Sequence, residues 1–303
     1  MILTGTASWT DETLIKSRRF YPADCKSAED RLRYYASRFP FVEVDSSYYA
    51  LPSARNAQLW AERTPEGFGF DVKAFRIFTG HQTPERALPR DIAVELAPQL
   101  EHKRNVYYKD LPEAIRVELW DRFIASLEPL RRAGKLRAVL FQYAPWVIPS
   151  PDWKRHIEEC VGRMPGFLLA TEFRNRAWFD GQHDGDTIAF ERDLGVAHVV
   201  VDEPQGSAKS IPSVWAATNP KLGIVRLHGR NTSTWDAKGL TAASDRFNYD
   251  YADAELRELA APIRELAGQV AELHVTVNAN FEDQGVRAAA ALRSIFDESI
   301  APG

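Results

Sequence analysis

Phe41-Val42-Glu43-Val44-Asp45-Ser46-Ser47-Tyr48-Tyr49 reads as a strand that ends in chemistry: side chains alternate at period two, and the run closes on a carboxylate, hydroxyls and phenols. Seven further runs repeat the plan, at 3–9, 68–75, 137–145, 167–174, 197–204, 222–229 and 272–280, and nearly all end in polar or ionisable residues. Amphipathic segments long enough to be helices lie between them. Strand and helix alternating eight times predict an α/β fold, a single (β/α)8 TIM barrel, in which the C-terminal ends of the strands surround the reaction site.

Composition agrees with one large domain. The 303 residues, 45% hydrophobic and 26% charged, exceed the roughly 250 of a typical barrel, so the expectation is a single domain over 1–303 carrying an insertion. A net charge of −4 gives no global electrostatic basis for binding nucleic acid or an anionic membrane, and leaves only a local basic cleft, with Arg18, Arg19 and Arg230, for nucleic-acid processing. Cys25 and Cys160 form no CxxC pair, which fits a reduced intracellular protein with structural thiols. Met1 leads at once into strand-like Ile2-Leu3-Thr4-Gly5, without a signal-peptide pattern, and no apolar run approaches the roughly 18 residues of a membrane span. A cytoplasmic location with no membrane partner is expected; oligomeric state is left open.

Helix signals fall where the alternation requires them. Ser27 and Ser53 are placed to cap helices, Ser150-Pro151 opens another, and Val286, Ala289 and Phe296 share one face of the last. A helical pattern over 251–269 contains Pro262, which should kink or split it. One connection breaks the rhythm: about 60 residues, 76–136, separate the third and fourth strands, with helical stretches at 92–102 and 111–133. This insertion reads as a lid or wall of the site, or as peripheral decoration.

Strand parity then says which side chains point inward. If the valines of 41–49 meet the helices, Glu43, Asp45 and Ser47 face the interior, and the same parity selects Asp71, Lys73, Gln142, Glu172, Arg174, Asp202, Arg226, His228, His274, Thr276, Asn278 and Asn280. Barrel cores are normally branched and apolar, and burying an unpaired ion costs several kcal/mol. Either these groups neutralise one another, Lys73, Arg174 and Arg226 satisfying Glu43, Glu172 and Asp202, or they serve a site.

Gly5-Thr6-Ala7-Ser8-Trp9, Phe20-Tyr21-Pro22, the 42–49 run, Trp60 with Thr64-Pro65, Phe70-Asp71-Val72-Lys73, Phe141-Gln142, Glu172-Phe173-Arg174 with Trp178, and Arg226-Leu227-His228-Gly229 occur in this order. Together they resemble the YecE-like family, domain of unknown function 72, and the resemblance implies a TIM-barrel fold and a candidate site without an established reaction. Relative to that pattern, Asp45 stands where Asn is usual, and Ala279 follows Asn278 where a paired Asn-Asn is usual.

The inward set suggests acid–base chemistry of hydrolase or lyase type on a small anionic, phosphate-bearing molecule. Glu172 is the expected general base or acid, Lys73 an oxygen polariser or proton donor, and His228 a proton shuttle or a neutral hydrogen-bonding group, with Asp202 and Glu43 completing the catalytic set. Trp9, Asp45, Tyr49, Gln142, Arg174, Trp178, Arg226, Arg230 and Asn278 are the expected substrate contacts, the arginines holding the anion by forked donors. The loop 229–235 sits where TIM barrels often bind phosphate.

Four alternatives remain open. Glu43, Glu172, Asp202 and His228 have the donor types of a divalent-metal hydrolase or nuclease-like site, but no close His-x-His or His-Glu-x-x-His pair occurs, so no cofactor is expected. Two carboxylates with Trp9, Tyr48, Trp178 and Trp235 would suit a glycosidase. A barrel that binds a small molecule or protein without turnover is the third. A flavin is compatible, whereas Gly-x-Gly-x-x-Gly and Walker patterns are absent.

Overall fold

Parallel ladders run through a computed structural model that describes residues 1–100, 104–207, 209–235, 237 and 247–298. The barrel strands are β1 (Ile2–Thr6), β2 (Phe41–Val44), β3 (Gly69–Lys73), β4 (Leu136–Gln142), β5 (Leu169–Glu172), β6 (Ala197–Asp202), β7 (Leu222–Leu227) and β8 (Glu272–Val277). Hydrogen bonds join them in the order β2-β3-β4-β5-β6-β7-β8-β1. Each falls within or one residue beyond a run predicted from alternation. Ser27, Ser53 and Ser150 cap the helices Ala28–Arg38, Ala54–Glu62 and Pro151–Gly162 through their side chains. Pro262 does not split its helix, which runs from Asp253 to Ala267; the carbonyl it deprives of a helix donor belongs to the exposed Glu258, so no polar group is stranded in the core.

Register places side chains as parity requires. Neighbours in a parallel ladder share a face, so the pairings Glu43 with Asp71, Gln142 with Glu172, and Arg226 with Thr276 put these residues on one side. That side is the interior, because Arg226 of β7 meets Glu43 of β2, and those strands are not neighbours. The aliphatic core lies instead between the strands and the helices.

The cylinder closes at a seam. Among the described residues no ladder joins β1 to β2; Tyr35, from the helix Ala28–Arg38, takes the place of one. Its hydroxyl accepts from the Thr6 N–H at 2.8 Å and donates to the Phe41 carbonyl at 3.3 Å. Gly5 permits the approach, since a Cβ there would collide with the Phe41 carbonyl. Tyr35→Phe strands a buried N–H, and urea unfolding should show a loss of about 1–3 kcal/mol; an unchanged midpoint would mean the seam holds without the hydroxyl.

The insertion resolves into two parts. Helix Glu113–Arg132 is the ordinary crossover between β3 and β4, packed against Ala54–Glu62. The excursion before it contains a two-residue antiparallel ladder, Thr83 with Val106 and Pro84 with Asn105, and the helix Arg90–Leu100. The end of the predicted 92–102 helix, residues 101 and 102, lies outside the described residues.

Candidate active site at the barrel mouth

Arg226 is the hub of the interior. Its Nε and Nη2 grip Glu43 at 2.9 and 2.7 Å, and its Nη1 donates to Glu172 Oε2 at 2.5 Å, with all three side chains at most 1% exposed. Three further donors converge on Glu172 Oε1: Gln142 Nε2 at 2.8 Å, Arg174 Nη1 at 3.2 Å and His228 Nε2 at 3.2 Å. Burial pushes the Glu172 carboxyl up, but Arg226, His228 and Arg174 outweigh it and hold it well below the usual range. Glu43 goes the other way, because burial exceeds what Arg226 and Lys73 return.

His228 is a neutral hydrogen-bonding group in this setting. Burial, helped by Arg226 and Arg174 and opposed by Glu172, brings its pKa down to about 3. Asn278 Nδ2 lies 2.9 Å from Nδ1, which assigns the ring proton to Nε2, facing Glu172.

The network surfaces at Lys73 and Arg174. Lys73 Nζ donates to Asp45 at 2.6 Å and to Gln142 Oε1 at 3.2 Å, and stands 4.7 Å from the centre of the Tyr48 ring. Its side chain is 7% exposed and that of Asp45 31%. Arg174 Nη1 donates to Glu203 at 2.7 Å; Glu203 also accepts from the Ile211 N–H, and Trp235 lies beside the guanidinium. Asp45, Arg174, Glu203, His228 and Asn278 all sit one or two residues past a strand end, so the ladders fix their positions.

Several expected site residues lie elsewhere. Asp202 does not face the interior: the pairing of Val201 with Arg226 puts Val201 inside, and Asp202 turns outward to a two-pronged contact with Arg230 and a 2.6 Å bond from Tyr251. Arg230 is thereby committed to Asp202, with Glu255 at 3.5 Å, rather than presented to an anion. Gly229, at φ +83°, gives its N–H to Tyr251, so the 229–235 loop is pinned to that clamp. Trp9 packs edge-on to Trp60 and Phe70, and Trp178 stacks on Phe173 with its indole N–H on the Val147 carbonyl; both are core, not substrate contacts. Tyr49 stays at the rim, 51% exposed, against Tyr48.

Parity missed Glu203, the true inward carboxylate of that strand. In β6 the polar phase, His198 with Asp202, faces the helices, and the inward phase of Ala197, Val199 and Val201 stays apolar until Glu203, one residue past the strand. His81, whose ring lies 5.1 Å from that of Tyr48, belongs to the insertion, where no periodicity marks it. A second network occupies the floor: His274 bridges Asp71 and Glu272 at 2.7 Å each, with Phe41 against its ring. Glu43, Glu172 and His228 are interleaved with guanidinium groups, and among the described residues no three His, Cys, Asp or Glu converge as a metal-holding group.

Ladder order, register and this mouth define a (β/α)8-barrel protein whose interior is ionic where others are aliphatic. The chain belongs to the family described as "Protein of unknown function DUF72", whose model matches residues 3–302, in accord with the motif resemblance. It is 34% identical over 282 residues to UPF0759 protein YunF of Bacillus subtilis (strain 168), covering 92% of this chain and 89% of that one. A DUF72 family protein of Thermotoga maritima MSB8 superposes with a TM-score of 0.75 at 25% identity over 98% of this chain and 99% of the other. Another, from Enterococcus faecalis V583, superposes at 0.79 with 22% identity over 100% and 97%, and shows the shared fold. Among the described residues no helix is long and apolar enough to cross a membrane.

Proposed function

We propose that this protein is an enzyme of hydrolase or lyase type whose reacting groups are Lys73 and Asp45, with a small, oxygen-rich substrate held between Lys73 and Arg174. One observation carries the reading. A buried ionic network, costly to fold, reaches the mouth at two cations that each hydrogen-bond one end of the Gln142–Glu172 pair. Lys73, Arg174 and Arg226 already face carboxylates, Asp45, Glu203, Glu172 and Glu43, whereas Arg76, 5.0 Å from the centre of the Tyr48 ring, has a buried Nε with no partner among the described residues. An anionic substrate that reaches Lys73 must displace Asp45, and a neutral polar one meets a ready donor–acceptor pair.

Roles follow from accessibility. Lys73 polarises a substrate oxygen or protonates the leaving group, and Asp45 takes a proton from the attacking water in a hydrolysis or from the substrate in an elimination. Glu172, sealed behind four donors, acts as a positioning residue for Gln142 and Arg174, and His228 with Asn278 fixes Glu172 in turn. Of the four rings that would suit a sugar, Trp9 and Trp178 are core, while Tyr48 and Trp235 lie against the mouth cations Lys73 and Arg174.

A thermal-shift screen of phosphosugars, nucleotides, organic acids and metals, followed by product detection, identifies the substrate. On that compound Lys73→Met should lower kcat about a hundredfold, and Asp45→Asn by a similar factor, since an amide still accepts from the ammonium but cannot take up a proton. Full turnover in Lys73→Met would end the proposal, and saturable binding without product would convert the barrel to a binding protein.

A further inference from the structure

A cleft of about 660 Å³ opens beside the mouth, lined by Gly80, Tyr107, Tyr108, Trp146, Trp153 and His156 together with Gln82, Lys109 and Asp152. Its size suits a small molecule. The insertion supplies one wall and the loop after β4 with the helix Pro151–Gly162 the other. Trp146, 44% exposed, is held in place by its indole N–H on the Gly80 carbonyl at 3.0 Å. Gly80 adopts φ +79°, and a Cβ there would press on the Trp153 ring at 2.9 Å, so a glycine keeps this wall recessed.

Packed rings join the wall of the cleft to the mouth. Lys73 lies over Tyr48, the Tyr48 ring is 5.1 Å from His81, and His81 is 5.9 Å from Trp146. Burial, with Arg76 and Lys73 nearby, keeps His81 neutral, its pKa brought down to about 3. The lining is mostly rings, and its remaining side chains, Gln82, Lys109 and Asp152, are exposed. A sugar site needs several hydrogen-bonding side chains directed at hydroxyls beside its platform; a flat aromatic ring needs the stacking surface and few polar contacts. His156 adds one such contact: its Nε2 is turned to the Phe78 carbonyl at 2.8 Å, which leaves Nδ1 as an acceptor for a ring N–H or amino group.

We infer that this cleft binds a planar heteroaromatic ring carrying an N–H donor, and that the substrate bears such a ring beside the group that reacts at Lys73. That the ring belongs to the substrate rests on the mouth being the reaction centre; ring binding does not.

Adenosine serves as the probe and methyl β-glucoside as the control, each titrated by saturation-transfer NMR against the full chain. Saturable adenosine binding is expected, weakened about tenfold in Trp146→Ala and in Trp153→Ala, the loss that removing one stacked ring brings, with melting temperatures confirming that each variant folds. Lys73→Met should bind adenosine within twofold of the parent, so failure of the mouth chemistry and failure of the cleft read out separately. The inference is overturned if adenosine does not saturate, if both tryptophan variants bind it as well as the parent, if binding requires Lys73, or if methyl β-glucoside binds as tightly.

Discussion

Replacing Arg226 by methionine should destabilise the protein by about 3–5 kcal/mol, the cost of breaking a buried ion pair from one side. The guanidinium makes three bonds to two carboxylates at most 1% exposed. Without it, Glu43 and Glu172 are left as buried carboxylates with no guanidinium between them, and folding must protonate them or solvate them. Arg226→Lys should recover little, because a single ammonium cannot span both carboxylates with a planar fork. Adding Glu43→Gln to Arg226→Met should restore part of the loss by removing one stranded charge. Urea unfolding at pH 7 reads all four proteins. A single Arg226→Met penalty under 1 kcal/mol would mean the network is solvated and not the closed hub its burial describes.

Stability should also fall as pH rises from about 6.5 to about 9, through the floor of the barrel. His274 is fully buried; burial opposes its charge, but Asp71 and Glu272 outweigh it and raise its pKa from 6.5 to about 9. A raised folded-state pKa contributes stability that is complete below pH 6.5, where both states are protonated, and is lost as pH climbs through 9, where the folded ring gives up its proton. The integrated effect is about 3 kcal/mol. Below pH 6.5 the sign reverses for His228 and His81, whose pKa values are depressed to about 3: the unfolded chain takes up protons there that the folded one refuses, so stability declines toward pH 3. The maximum should lie near pH 6.5. Denaturation across pH 4–9.5, repeated with His274→Gln, tests this. The alkaline slope must vanish in the variant, and a slope that persists would assign it to other groups.

Strand parity could be read before any coordinates where a strand carried polar residues on one face only. Glu43, Asp71, Lys73, Gln142, Glu172 and Arg226 were legible because alternation is imposed by the pleat, residue by residue. β6 is the exception, where Asp202 misled: the polar phase, His198 with Asp202, meets the helix layer, while the inward Val199 and Val201 carry no polar signal before Glu203 past the strand end. Trp9 and Trp178 misled for a related reason, since a tryptophan past a strand end packs as readily behind the sheet as over its mouth.

Periodicity and turn chemistry, both local, determined by themselves that this chain makes eight strands and a (β/α)8 barrel with ionisable groups turned inward. Tertiary structure alone decided who partners whom. Arg226 meets Glu43 from 183 positions away, Tyr35 supplies the missing rung at the seam, Lys73 and Arg174 are each paired with a carboxylate, and the insertion lays an aromatic cleft next to the rings packed on Lys73. Those pairings depend on how the cylinder closes and at what register, which is a sum over all the ladders and not a property of any one stretch.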